Sequence, residues 1–213
     1  FAKLGNPFAV VRDSRGRYLV AGGRPEIRVH SPDGRFAETI EIPRGGGLWP
    51  WVTNIAISSN GNVLAVDPAR GRQTILSADL KGVGQDSMPG HFLGSFVSFP
   101  WNQTVVNLFV GTPELAPFPI HVLTRGNVKR SFGPVGEETV RFDVRSTIER
   151  KLAYASDSTV WAARVNEYRI GLWSLSGRHI LDLVRETGKF APWIEEPPPS
   201  PSIPPKTRIR AIR

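Results

Sequence analysis

AVVRDSRGRYLVAGG, residues 9–23, is the stretch that decides the fold. An apolar segment opens it, the turn Asp13-Ser14-Arg15-Gly16 interrupts it, and Tyr18-Leu19-Val20-Ala21 resumes the apolar run. Two short apolar segments around a Gly-ended polar turn read as a β-hairpin, because Gly accepts the positive φ that such turns demand. IAISSNGNVLAVD, residues 55–67, repeats the pattern around the turn Ser58-Ser59-Asn60-Gly61. Gly16 and Gly61 stand 45 positions apart.

A second hairpin recurs as well. IRVHSPDG (27–34) aligns without a gap on IGLWSLSG (170–177). Weaker copies are TILSAD (74–79) and IHVLTRG (120–126). Gly34, Gly126 and Gly177 are separated by 92 and 51 positions, with the Asp79 copy between the first two. The period is therefore about 46 residues. A strand is expected after each turn, over 36–40, 128–132 and 179–184. Val140, Phe142 and Val144 alternate in the same way. Each unit reads strand, turn, strand, loop, strand, turn, strand.

A four-stranded sheet repeated every 40–50 residues or so is the arithmetic of a β-propeller. The expected class is all-β: a β-propeller with about four to five blades visible. A β-sandwich also uses many short strands, but it has no need of that period. Only Ile148 and Leu152 stand in an i, i+4 relation, which fits one or two helical turns and two strand positions equally well.

DSRGRYLVAG (13–22) followed by IRVHSPDGRF (27–36) resembles the NHL-type six-bladed β-propellers common in bacteria. The pattern there is a polar D-x-x-G hairpin, a strand like YLVA, then a strand ending in SPDGRF. YRIGLW (168–173) with Ser176, Gly177 and Arg178 fits the same pattern in a later blade. The resemblance covers residues 7–40, 51–80 and 151–185 and is faint over 85–135. It implies six blades, of which this chain would supply about four and a half. Both ends read as cuts through a continuing structure, so the remaining blades are expected outside the chain. A partial ring would leave apolar blade faces bare, and the isolated chain is expected to be poorly soluble or oligomeric. The blade units are expected at 7–45, 50–90, 95–135 and 138–190, within a single partial propeller spanning 1–213. Bacterial propellers of this type favour a periplasmic or extracellular home.

Three long connections are expected. PWIEEPPPSPSIPP (192–205) holds seven prolines and cannot be a central strand or a helix. Residues 191–206 are expected as a Pro-rich connection between blades, with Trp193 and Ile203 as apolar anchors, and 207–213 as the start of a further blade. A docking strip for a proline-recognising partner is the sharper alternative. GGGLWPW (45–51) is the second connection, and residues 81–94, with four glycines and Pro89, are the third.

Composition narrows the chemistry. The 213 residues contain no Cys, which excludes disulfides, Cys-ligated zinc and thiol catalysis. No run approaches the ~20 apolar residues of a membrane-spanning helix. The net charge is +8, with Lys206, Arg208, Arg210 and Arg213 clustered at the C-terminus. The other positive residues alternate along strands as solvent-facing positions do, and no aromatic-basic stacking motif accompanies them. A solvated basic face is expected, with no nucleic-acid partner.

Four His occur, at 30, 91, 121 and 179, and none has metal-motif spacing. His30 and His121 fall in the same strand of different repeats and are expected to be ordinary strand residues. Asp13, Asp33, Asp79 and Asp157 are turn aspartates. No nucleophile elbow or phosphate-binding loop is present. Propellers bind ligands at one end of the central channel, which makes Trp51, Asn54, Trp101 and Asn102 the candidate contact residues. The expected function is a binding or interaction module for a protein, peptide or glycan, with no cofactor. The alternatives are a purely structural repeat and a metal-dependent propeller hydrolase or lyase. The enzyme would hold calcium or another divalent cation in the channel, with Asp143 as the best acidic candidate.

Overall fold

The computed structural model describes residues 7–22, 24–42, 51–100, 103–134, 148–165 and 168–184. They form sixteen strands in four antiparallel sheets of four. The first sheet holds β1 (Ala9–Arg12), β2 (Tyr18–Ala21), β3 (Glu26–His30) and β4 (Phe36–Glu41), in that order. The second holds β5 (Asn54–Ile57), β6 (Val63–Asp67), β7 (Arg72–Leu76) and β8 (Gly82–Ser87). The third holds β9 (His91–Phe99), β10 (Gln103–Phe109), β11 (Ile120–Thr124) and β12 (Asn127–Phe132). The fourth holds β13 (Arg150–Ser156), β14 (Thr159–Arg164), β15 (Arg169–Ser174) and β16 (His179–Val184). Every strand pairs with its sequence neighbours, as hairpins in series require.

Two positions in each sheet explain its pattern of side chains. In the first three sheets the middle strands are largely buried, and β6 is buried along its whole length, so VLAVD reads as a nearly continuous apolar run. The last strand is exposed: β4, β8 and β16 have no fully buried residue. This gradient accounts for one correction. Residues 81–94, expected as a connection, contain β8 and the start of β9. A Cβ added at Gly82 or Gly84 would meet nothing within 4 Å. An outermost strand held by its backbone ladder to β7 needs no apolar alternation, so glycines conceal it. The third sheet likewise forms where the sequence resemblance is faint. Leu152 is a buried residue of β13 rather than a helical one. Val140, Phe142 and Val144 lie outside the described residues, as do residues 43–50, Asp143 and the Pro-rich segment.

One turn geometry recurs. The N–H of Ser31 donates to Arg35 O and that of Gly34 to Ser31 O, at 2.9 and 2.8 Å. The same two bonds close Asp13–Arg17, Ser58–Asn62, Ser77–Lys81 and Ser174–Arg178. The fourth residue of each turn has positive φ, and it is Gly in all but the Ser77 copy, where Leu80 takes φ 64°. The ladder shifts register at the same place before three of these turns: Val29/His30, Ile75/Leu76 and Leu172/Trp173. A bulge there turns the outer strand away from its partner.

The chain divides into two compact units, the first formed by Phe1–Gly94, Ser98–Gln103 and Arg125–Asn127, the second by the remainder. In the first unit Leu19, Ala21, Ile27, Val29, Val52, Ile55, Val63, Ala65 and Leu76 form one core shared by the first two sheets. Burying such faces yields about 25 cal/mol per Å² of apolar surface, which neither sheet can obtain alone. In the second unit Asn107 ties strands together. Its Nδ2 donates to Pro119 O (2.8 Å) and Ile148 O (3.0 Å), and its Oδ1 accepts from Arg150 N (2.9 Å).

Candidate functional site

The channel-mouth candidates fall on both sides of what the structure describes. Asn54 opens β5, half-buried, with its Nδ2 donating to Gly94 O at 3.4 Å. Trp51 precedes it and is 55% exposed, a large apolar side chain presented to solvent. Trp101 and Asn102 lie outside the described residues, so nothing places them beside the other two.

The titratable groups singled out in the sequence are used by the fold. Asp13 accepts from the N–H groups of Arg15 and Arg17 at 3.0 and 2.8 Å and from Arg17 Nε at 2.7 Å. Burial alone would raise its pKa, but these bonds and the Arg17 charge hold it below the ordinary carboxylate value. Asp33 is lowered by the Ser31 hydroxyl in its turn. His30 is buried in β3, where Nδ1 lies 3.2 Å from Gly34 O and the ring meets Phe36 edge-on. His121 is fully buried in β11 and shares a 2.8 Å hydrogen bond with Ser131 Oγ. Burial pushes its pKa down to about 4, against an opposing pull from the backbone at Leu108 and Phe118.

Two charged arrangements escape the sequence. The first is Asp67 at the end of β6, with a side chain only 4% exposed. Its Oδ2 lies 3.7 Å from Arg70 Nη1 and 3.8 Å from Arg72 Nε, too far for hydrogen bonds. A short 3₁₀ turn, Pro68–Arg70, and the left-handed Gly71 bring Arg70 back over the acid.

The second lies on one face of the fourth sheet. Arg150 pairs with Arg164 across β13 and β14. Ala163 pairs with Ile170, so one step further along the ladder Arg164 faces Arg169 on β15. Two residues along, on the same face, stand Leu152, Ala162, Gly171 and Asp182. The next rank carries Trp173, followed across the bulge by His179. Small residues in the middle of large ones leave a hollow of about 300 Å³, closed on its other side by Ile120, Gly133 and Pro134. Asp182 accepts from His179 Nε2 at 2.9 Å, and its second oxygen lies 4.0 Å from Arg169 Nε. Trp173 stacks on Phe132 with ring centroids 5.6 Å apart. Its Nε1 folds over Gly171, where an added Cβ would come within 2.7 Å of it. Arg150, 3% exposed, is an exception to the expectation that positive strand residues face water, whereas Arg169 is exposed.

The sheets and their order decide which known proteins the chain is like. No family model matches it, and no curated protein does. Among solved structures it is similar to a streptogramin B lyase (13% identity, TM-score 0.61, 85% of this chain and 55% of that one). It is similar also to virginiamycin B lyase from Staphylococcus aureus (15%, 0.61, 87% and 58%). The β-propeller domain of Cps50 (Swd1) from Myceliophteria thermophila is a third (11%, 0.58, 86% and 56%). The fold is a β-propeller. Identities this low speak for the propeller architecture alone. The chain spans little more than half the length of these propellers. No helix among the described residues is long and apolar enough to cross a membrane.

Proposed function

We propose that the chain is part of a propeller-type binding module, of NHL type and six blades when whole, that presents loops to a protein, peptide or glycan. One observation carries this reading: among the described residues, the acids and histidines singled out in the sequence are spent on the fold. Asp13 and Asp33 hold turns, His30 and His121 fill strands, and Asp67 answers two arginines. The exposed Trp51 and the neighbouring Asn54 are the contacts this module would offer, together with Trp101 and Asn102. A wide aromatic face beside an amide suits both peptides and sugars.

A metal-dependent lyase or hydrolase is the second reading, favoured by the two lyases among the similar structures. It requires three or four convergent oxygen or nitrogen ligands, with Asp143 as one of them. Peptide and glycan arrays probed with the full-length protein, with and without a chelator, separate the two. Binding that survives chelation and falls in Trp51→Ala is the expected result. A stoichiometric divalent cation together with turnover of a bound ligand would overturn it in favour of the enzyme.

A further inference from the structure

Asn60 stands third in the Ser58–Asn62 turn and is exposed to solvent. Gly61 follows it, and no other Asn of the sequence precedes a Gly. In an Asn-Gly pair the next backbone nitrogen can reach the side-chain carbonyl carbon, because Gly has no Cβ to crowd the approach. The Asp33 turn shows what the same frame does with a carboxylate. There the Ser31 hydroxyl and the Arg35 N–H, the latter at 3.4 Å, donate to Asp33 Oδ1. In the Asn60 turn the Ser58 hydroxyl and the Asn62 N–H, the latter at 3.2 Å, donate to Asn60 Oδ1. In both, the N–H of the following Gly donates to the Ser carbonyl at 2.8 Å. The φ of that Gly is 84° at Gly34 and 82° at Gly61. The Asn60 Nδ2 group, which an aspartate lacks, donates to no acceptor among the described residues. The turn therefore holds Asn60 by the atom that it shares with Asp.

We propose that Asn60 is a site of spontaneous deamidation, and that its turn accepts one of the two products and rejects the other. The Gly61 nitrogen bonds to Asn60 Cγ and gives up its proton. The Cγ–Nδ2 bond breaks, ammonia leaves and a succinimide ring closes. Water then opens the ring at either carbonyl. Attack at Cγ restores the ordinary peptide with Asp at position 60. Attack at the backbone carbonyl leaves isoaspartate, with the chain running through Cγ and longer by one methylene. Asp keeps both bonds to Oδ1 and reproduces the Asp33 turn. Asn62 stands where Arg35 pairs with Asp33, but that exposed ion pair contributes little. Isoaspartate lengthens the backbone inside the turn, between the two 2.8 Å bonds, Ser58 N–H to Asn62 O and Gly61 N–H to Ser58 O, that close it. The fold also slows the first step, because the attacking Gly61 nitrogen is engaged with Ser58 O until the turn opens locally. The reaction needs no ligand, so it stands or falls independently of the proposed binding of a protein, peptide or glycan.

Incubation of the full chain at mildly alkaline pH tests it, followed by peptide mass spectrometry with chromatographic separation of Asp from isoaspartate. The peptide holding Asn60 should exchange amide for acid ahead of every other Asn peptide. The rate should rise with pH, because the attacking nitrogen must lose its proton. The folded chain should convert about tenfold more slowly than the chain in urea, since a backbone hydrogen bond must open first. Asn60→Gln, whose longer side chain would have to close a larger ring, should stop the conversion. Asn60→Asp should melt at the temperature of the unmodified chain, and the fraction carrying isoaspartate should melt lower. Conversion at another Asn first, no conversion at position 60 in the folded chain, or an Asn60→Asp chain that melts as low as the isoaspartate form overturns the proposal.

Discussion

Asp67 carries the charge balance at the end of β6. Its carboxylate sits among the Arg70 and Arg72 side chains, each only 15% exposed, and it is the partner through which both cations tolerate burial. Removing one member of a buried charge group leaves the others uncompensated, at a cost of about 3 kcal/mol or more. Asp67→Asn is therefore expected to lower the urea midpoint strongly. The double change Asp67→Asn with Arg70→Met should recover part of the loss. His121 has a consequence that depends on pH. In the folded chain its pKa is about 4, against 6.5 for the exposed ring, so between these values the unfolded chain binds the extra proton. Stability should be unaffected above pH 6.5 or so and fall as the pH is lowered toward 4, by roughly 3 kcal/mol in all. Asp13 and Asp33, whose pKa values are lowered, add their own losses only below the ordinary carboxylate range. Urea titrations at several pH values should show the His121 slope, and His121→Gln should flatten it.

The elements were legible wherever a hairpin carried its signature into the core. β2 follows the apolar run Tyr18–Ala21, β4, β12 and β16 stand after their turns where the spacing expects them, and the turns at Gly16, Gly34, Gly61 and Gly177 have the positive φ that their glycines promise. The Ser77 turn shows why the pattern is not universal. Leu80 takes the left-handed position itself and buries its side chain in the core of the first two sheets, so packing offsets the strain. β8 was illegible because it is an outer strand whose sequence, GVGQDS, carries two glycines and no run of apolar residues, whereas the equally exposed β16 keeps Ile180, Leu181 and Leu183. At Gly126 two constraints coincide: φ is 74°, and a Cβ would lie 2.5 Å from Ser87 O. Gly126→Ala should cost about 2 kcal/mol or more, because backbone must move. A smaller loss in thermal unfolding would mean that β8 gives way easily.

For the molecule as a whole, period and hairpin spacing were enough to reach the propeller class. The charged face of the fourth sheet was not, since Arg150, Arg164 and Arg169 are far apart in the chain and meet only through strand register. Asp67 was equally hidden, because nothing in VLAVDPARGR announces that Arg70 folds back. The recurrence of one turn, with its bulge at one place, bears on how such a chain tolerates exchange of its pieces. Residues 31–35 and 174–178 are grafts of equal length, ending in the same Gly-Arg. Transplanting the sequence of 174–178 into 31–35 should leave the melting temperature almost unchanged. The reverse transplant puts Pro at position 175, whose N–H now donates to Ser158 O at 2.9 Å, and should cost about 1 kcal/mol. Traffic in these spare parts thus runs more freely in one direction than in the other.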